Sequence, residues 1–168
     1  MNYIYHYDSP LGGITLAGDG EALTGLWFDD QKHIPVMLGP SCEAGEQPVP
    51  GETARWLDLY FSGKDPGFTP KIRMRATAFR ETVWRILLTV PYGETVTYGE
   101  IADRTAKQMR LPRMSAQAVG GAVGHNTIAL IIPCHRVIGA DGSLTGYAGG
   151  VERKVMLLEM EKGHGRSV

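Results

Sequence analysis

Cys134 and His135 set a thiol beside an imidazole, directly after a proline, in the stretch Ile131-Ile132-Pro133-Cys134-His135-Arg136-Val137-Ile138. A thiol becomes a strong nucleophile only as its thiolate, and a base or a positive neighbour makes that form accessible. His135 and Arg136 are candidates for both roles. Neighbouring side chains of an extended strand point to opposite faces, so the pair shares a pocket only if the chain bends here or a water joins them. Pro133 gives a reason to bend, because it lacks an N–H and fixes its own φ. The competing reading is an inert, buried cysteine next to an unrelated histidine. The other cysteine, Cys42, lies among Pro and Gly and reads as incidental. No second pair of ligands stands at metal spacing, so neither a zinc site nor a cofactor is expected.

Around this pair the sequence reads as two lobes. Residues 2–8, 14–17 and 22–28 have strand composition, separated by the turns Ser9-Pro10-Leu11-Gly12-Gly13 and Gly18-Asp19-Gly20-Glu21. This is an antiparallel meander. Residues 29–50, rich in Pro and Gly, read as an irregular connection. Glu52–Phe61 fits a helix with Trp56, Leu57, Tyr60 and Phe61 on one face. Residues 62–70 form a second break, which places an N-terminal scaffold lobe at 1–70 and a C-terminal lobe at 71–168.

In the second lobe, Ala76–Thr89 has the wide apolar face of a packed helix, and Pro91-Tyr92-Gly93 stops it. Thr97 can cap a helix over Tyr98–Thr105, with Glu100 as its capping-box partner, and Ser115 can cap another from Ala116 to about His125. Two short helices with a compact link describe a helix-turn-helix, whose second helix normally meets DNA. That helix holds Gly120, Gly121 and Gly124. Glycine costs about 1 kcal/mol relative to alanine in an exposed helix interior. The three glycines therefore need a reason: either close approach of a nucleic acid strand, or tight packing on the Cys134 segment. Ile128–Ile132 reads as an apolar strand leading into Cys134. Val137-Ile138 and the Asp141-Gly142 turn read as a hairpin, a wing beside the helix-turn-helix. Leu144–Gly150 reads as a flexible loop near the same site. A last helix runs from Val151 to about Lys162, with Val155, Met156, Leu158 and Met160 among its apolar positions, and the tail after Gly163 reads as frayed.

Composition sets outer limits. A 168-residue chain, 43% hydrophobic and 21% charged, has the make-up of a soluble globular protein. No run approaches the length of a membrane span, and the N-terminus lacks the pattern of a signal peptide. Two cysteines without a disulfide framework fit a reducing cytoplasm. The net charge of −1 hides an asymmetry. Residues 1–60 hold nine acids and two bases, whereas residues 61–168 hold nine acids and fifteen bases. From Arg104 to Arg136 there are five bases and no acid, which suits a polyanion on one side of the molecule.

Pro133-Cys134-His135-Arg136-Val137 resembles the active-site signature of the O6-alkylguanine-DNA alkyltransferases. Val96-Thr97-Tyr98, Ala118-Val119-Gly120, Asn126, Gly146-Tyr147-Ala148-Gly149-Gly150 and Lys154 through Glu161 fall in that family's order and spacing. The resemblance covers roughly residues 76–162, and more weakly the Ser9-Pro10-Leu11-Gly12 turn and the meander. It implies an α+β protein: an N-terminal antiparallel sheet lobe with a helix, and a C-terminal winged helix-turn-helix lobe carrying the active-site cysteine. It also implies irreversible, single-turnover repair of O6-alkylguanine in double-stranded DNA, with O4-alkylthymine as the neighbouring candidate substrate. No membrane or obligate protein partner is expected.

Residue by residue, the resemblance makes Cys134 the alkyl acceptor. His135 is its base through a water, Glu161 orients His135, and Asn126 and Tyr98 support the pocket. Tyr98 also serves base rotation or protonation of the departing guanine. Tyr147, Ala148, Gly149 and Val137 would line the substrate, while Gln117, Ser115, Ala118, Gly120, Gly121, Arg136 and Arg113 would meet DNA. At Gln117 the family usually has an arginine that fills the gap left by a flipped base; glutamine lacks its charge and wide plane, so weaker DNA affinity or slower repair is expected. Three other readings compete. A non-enzymatic sensor of damaged bases would lack the acceptor, yet Cys134 is present. A cysteine hydrolase has no need of a helix-turn-helix. A winged-helix transcription factor would carry a recognition helix richer in side chains that read the major groove.

Overall fold

The structure, a computed structural model, describes residues 2–31, 42–44, 49–144 and 146–163. The rest of the 29–50 connection, Thr145 and the tail beyond Gly163 lie outside the described residues. The meander forms as its composition predicts: β1 (Asn2–Ser9), β2 (Gly12–Gly18) and β3 (Leu23–Phe28) are antiparallel neighbours. A short strand, β4 (Cys42–Ala44), adds parallel to β1 and gives the order β3-β2-β1-β4. Pairing of Cys42 with Asn2 corrects the reading of this stretch as wholly irregular; the ladder supplies order that local composition does not encode.

The other edge of the sheet is not left open. Leu23 N–H bonds Lys71 O at 2.9 Å and Arg73 N–H bonds Leu23 O at 2.8 Å. Leu26 pairs in the same way with Thr127 and Ala129, at 2.9 and 3.0 Å. Covering an edge strand satisfies its backbone and here joins the lobes. Helix α1 (Gly51–Phe61) buries Trp56, Leu57 and Tyr60, three of the four residues in its expected stripe. One buried cluster runs from Ile14, Leu16 and Phe28 through Tyr60 to Val83, Val119, Ile132 and Leu157. The two lobes therefore share a core.

In the C-terminal half, α2 (Ala78–Leu87) is capped by the Thr77 hydroxyl and presents Val83, Trp84, Ile86 and Leu87 inward. The Thr97 side chain accepts from Glu100 N–H and starts α3 (Tyr98–Met109). Ser115 accepts from Ala118 N–H and starts α4 (Ala116–Gly124). Both caps match the sequence signals. The turn between α3 and α4 opens with Arg110 in the left-handed region (φ 56°), where Leu111 N–H reaches back to Ala106 O at 2.8 Å. Trp84 Nε1 donates to Ala122 O at 2.9 Å and pins α4 to α2.

Two expectations fail locally. Ile128–Ile132 is not a strand. Ile132 N–H turns back to Ile128 O at 3.1 Å, Leu130 has φ +69°, and the segment is a buried series of turns. A short apolar run announces burial, not conformation; the Asn126 amide decides the turn by bonding Ile128 N–H and Ile132 O. The wing is also reduced. β6 (Val137–Ile138) pairs in parallel with β5 (Val96–Thr97), and the Asp141-Gly142 turn closes through Gly139 N–H to Ser143 O at 3.0 Å with no ladder beyond it among the described residues.

Candidate active site

Cys134 does not sit on a strand end. Cys134–Arg136 forms one turn of 3₁₀ helix after Pro133, and this is the bend that the Cys-His pair requires. Cys134 N–H bonds Ile132 O at 2.8 Å, and Arg136 N–H bonds Pro133 O at 3.0 Å. Both Cys134 and His135 are buried.

Helix α5 (Val151–Gly163) supplies the other half of the site. Its inward positions are Lys154, Leu157, Leu158 and Glu161, so two of the four buried residues are charged. Val155 and Met160 are half-buried and Met156 is exposed. The apolar pattern is weak because the face that packs inward also carries chemistry.

Glu161 is the hub. Its Oε2 lies 2.6 Å from His135 Nε2 and accepts the Tyr60 hydroxyl at 2.6 Å and Arg136 Nη2 at 3.2 Å. Its Oε1 accepts Arg136 Nε at 2.8 Å and Gly93 N–H at 3.1 Å. Burial opposes the charge, but hydrogen bonds from His135 and Arg136 and the positive charge of Arg136 outweigh it and bring the carboxyl down to about 2. An ionised carboxylate only accepts, so His135 Nε2 must carry its proton and Nδ1 is left as the basic nitrogen. Burial also pushes His135 below its ordinary value, against the pull of Glu161, so the resting ring is neutral.

The thiol is held up in the same way. Burial raises Cys134, while hydrogen bonding from Asn126, the charge of Lys154 and the backbone N–H groups of Cys134 and His135 favour the thiolate. The resting pair is therefore thiol and neutral imidazole, with an ammonium and an amide already placed for the anion. Lys154, fully buried, donates to Val137 O at 2.6 Å. Two buried polar atoms at the site, His135 Nδ1 and the Tyr147 hydroxyl oxygen, have no hydrogen-bond partner among the described residues.

The remaining predicted residues fall around this centre. Asn126 is buried beneath the turn, with its amide on Ile132 O at 2.9 Å. Tyr98 opens α3 and faces Gly120 of α4, where a Cβ would lie 3.9 Å from its ring; burial raises its hydroxyl, and a thiolate at Cys134 raises it further. The Tyr147 ring meets that of His135 edge-on at 6.4 Å. Ala148 is exposed, and Gly149 is buried where a Cβ would press on Phe28 Cδ2 at 2.9 Å. Val137 is fully buried. Ser115, Gln117, Ala118, Gly121 and Arg113 are exposed, and Gly120 is half-buried.

Arg136 corrects the sequence reading. Expected at DNA, it is 7% exposed and turned inward, with Nη1 on Val90 O at 2.8 Å and its other nitrogens on Glu161. One turn of 3₁₀ helix puts it on the protein side of the cysteine. Two residues without an assigned role also join the site, Tyr60 and Lys154. Lys154 is seven residues before Glu161, a helical same-face spacing that the sequence does display. Tyr60 gives no such signal, since it reads as one more aromatic in a buried stripe.

Residues 78–163 match the family described as 6-O-methylguanine DNA methyltransferase, DNA binding domain, and residues 2–74 match the family described as 6-O-methylguanine DNA methyltransferase, ribonuclease-like domain. This chain belongs to the 6-O-methylguanine DNA methyltransferase family. Among curated relatives, the methylated-DNA–protein-cysteine methyltransferase of Mycobacterium bovis is 48% identical over 94% of this chain and 92% of its own length. That of Methanosarcina acetivorans is 44% identical over 95% and 97%. The solved structure of Mycobacterium tuberculosis O6-methylguanine methyltransferase superposes with a TM-score of 0.82 at 45% identity, covering all of this chain and 97% of the other. The same organism's OGT in complex with DNA gives 0.80 at 45% identity, over 96% and 94%. The α+β fold of the family is thus the fold of this chain.

Proposed function

We propose that this chain repairs duplex DNA by moving the alkyl group of an extruded O6-alkylguanine onto Cys134, once and irreversibly. Direct transfer to a cysteine is the activity that its curated relatives are named for. The observation that carries the residue assignment is the hydrogen bond between His135 Nε2 and the ionised Glu161, which leaves Nδ1 as the basic nitrogen of the residue that follows Cys134.

In the reaction the thiol proton passes to His135 Nδ1, through a water, as sulfur attacks the alkyl carbon. The new S–C bond forms as the C–O6 bond breaks, and the departing guanine takes a proton, a role this reading gives to Tyr98. An alkyl ether of guanine is a poor electrophile, so both the thiolate and the proton donor are needed. In-line attack within the base stack is blocked, which is why the base must flip, at a cost of a few kcal/mol that damaged pairing reduces. Lys154 and Asn126 offset the charge of the buried thiolate. Returning the thioether to a thiol would need a further nucleophile to take the alkyl group from sulfur, so in this reading each chain acts once.

The glycines of α4 favour a DNA face over internal packing. A Cβ at Gly121 or Gly124 would meet nothing within 4 Å inside the protein. The space is open to a partner, and the solved relative in complex with DNA supports DNA as that partner. Cys134 argues against a sensor without an acceptor. Titration separates transfer from hydrolysis: incubation with excess O6-methylguanine duplex should consume one methyl group per chain, whereas repeated turnover would refute the proposal.

A further inference from the structure

Tyr60 is buried at the centre of the site, yet the reaction as described gives it nothing to do. It comes from α1 in the N-terminal lobe and is fully buried. Its hydroxyl donates at 2.6 Å to Glu161 Oε2, the oxygen that also lies 2.6 Å from His135 Nε2, and stands 3.3 Å from Nε2 itself. Its ring stacks on Trp56 at 5.0 Å and meets Tyr92 and His135 edge-on at 6.0 and 6.3 Å. The hydroxyl has no room to swing without moving the shared core.

We infer that Tyr60 is a positioning residue for alkyl transfer: its hydroxyl fixes Glu161 Oε2, so it holds the His135 ring with Nε2 on the carboxylate and Nδ1 free, and limits how strongly the carboxylate draws a proton onto that ring. The inference rests on the alkyl-transfer reading above. It gives the N-terminal lobe a part in the chemistry. A carboxylate oxygen that already accepts a hydroxyl has less electron density to offer an imidazole N–H. Without the hydroxyl, Oε2 keeps His135 and Arg136 Nη2, and its attraction for the imidazolium grows. The groups that act on His135 are Tyr60 from α1, Arg136 on its own turn beside the neighbouring Cys134, Tyr147 from the following loop, and Lys154 and Glu161 from α5. Of these, Tyr60 and Glu161 reach Nε2.

Tyr60→Phe keeps the ring and removes the hydroxyl. The experiment measures the single-turnover rate of methyl transfer from an O6-methylguanine duplex across pH, with an NMR titration of the His135 ring, for wild type, Tyr60→Phe and the neighbouring core variant Trp56→Phe. His135 must be neutral to accept the thiol proton, so a more readily protonated ring loses activity at higher pH. The acid limb of Tyr60→Phe should move up by roughly half to one pH unit, with a plateau rate lower by roughly threefold to tenfold. The His135 titration should move the same way, and Trp56→Phe should leave the limb in place. Should Tyr60→Phe fail to fold, Tyr60→Leu serves as a second hydroxyl-free variant. A folded hydroxyl-free variant with the wild-type limb and titration overturns this inference alone; a wild type that transfers no methyl group overturns the proposed function and this inference with it.

Discussion

The two sides of Cys134 are built by opposite rules. Behind it, Glu161, Arg136, His135, Tyr60 and Lys154 are buried polar groups tied to one another or to backbone. On α4, by contrast, Gln117, Ala118 and Gly121 are small or uncharged and exposed. The difference follows from what each side has to do. Proton transfer to and from a thiol needs fixed donors in a dry setting, where each hydrogen bond is strong and each unpaired group is costly. The DNA face proposed for α4 has to admit a strand closely, and small side chains do that without fixed partners.

The buried side should therefore respond most strongly to substitution. Arg136→Ala leaves Glu161 buried without its main cation and removes the donor to Val90 O, so unfolding free energy should fall by about 3–5 kcal/mol in urea titrations. If Arg136 instead served DNA, stability would stay within about 0.5 kcal/mol of wild type while duplex affinity fell.

A pH series sharpens the same point. His135 sits below its ordinary value of 6.5, so the unfolded chain binds a proton that the folded chain refuses. Stability is fully present above 6.5 and falls as pH drops below it. Glu161, held down to about 2, adds stability that is full above its ordinary value of 4.5 and is lost as pH falls toward 2. Urea midpoints should thus decline in two stages between pH 7 and 3. In His135→Asn the stage beginning at 6.5 should flatten; an unchanged slope there would mean that His135 is not kept neutral by the fold.

The exposed side should give smaller and opposite effects. Gly121→Ala adds a methyl group into open space on a helix, so stability should rise by up to about 1 kcal/mol while duplex affinity falls. A stable variant with full affinity would show that this face does not meet DNA. Gln117→Arg restores a charge and a planar group and should tighten duplex binding severalfold, most at low salt, without changing stability. Equal affinity would remove Gln117 from the interface.

The same contrast governs what the sequence discloses. Caps and periodic faces are local, and Thr97, Ser115 and the stripe of α1 place their elements to within a few residues. The Cys134-His135 chemistry is also visible, because the pair is adjacent in the chain. What stays hidden depends on long-range partners. Tyr60 meets Glu161 across 101 positions. The inward turn of Arg136 depends on a single 3₁₀ turn that the apolar run before it disguises as a strand end. The buried face of α5 is half charged, so hydrophobic patterning points to Met156, which is exposed, and passes over Lys154, which is not.

The central claim is that the Cys134 sulfur receives the alkyl group. Wild type and Cys134→Ser should be incubated with duplex DNA containing one O6-methylguanine, digested, and read by peptide mass spectrometry. A single methyl group on the Cys134 peptide of the wild type, with none on the serine variant and guanine restored in the DNA, is the predicted result. Methyl transfer that persists in Cys134→Ser, or a wild type that binds the lesion and leaves it methylated, would contradict the account.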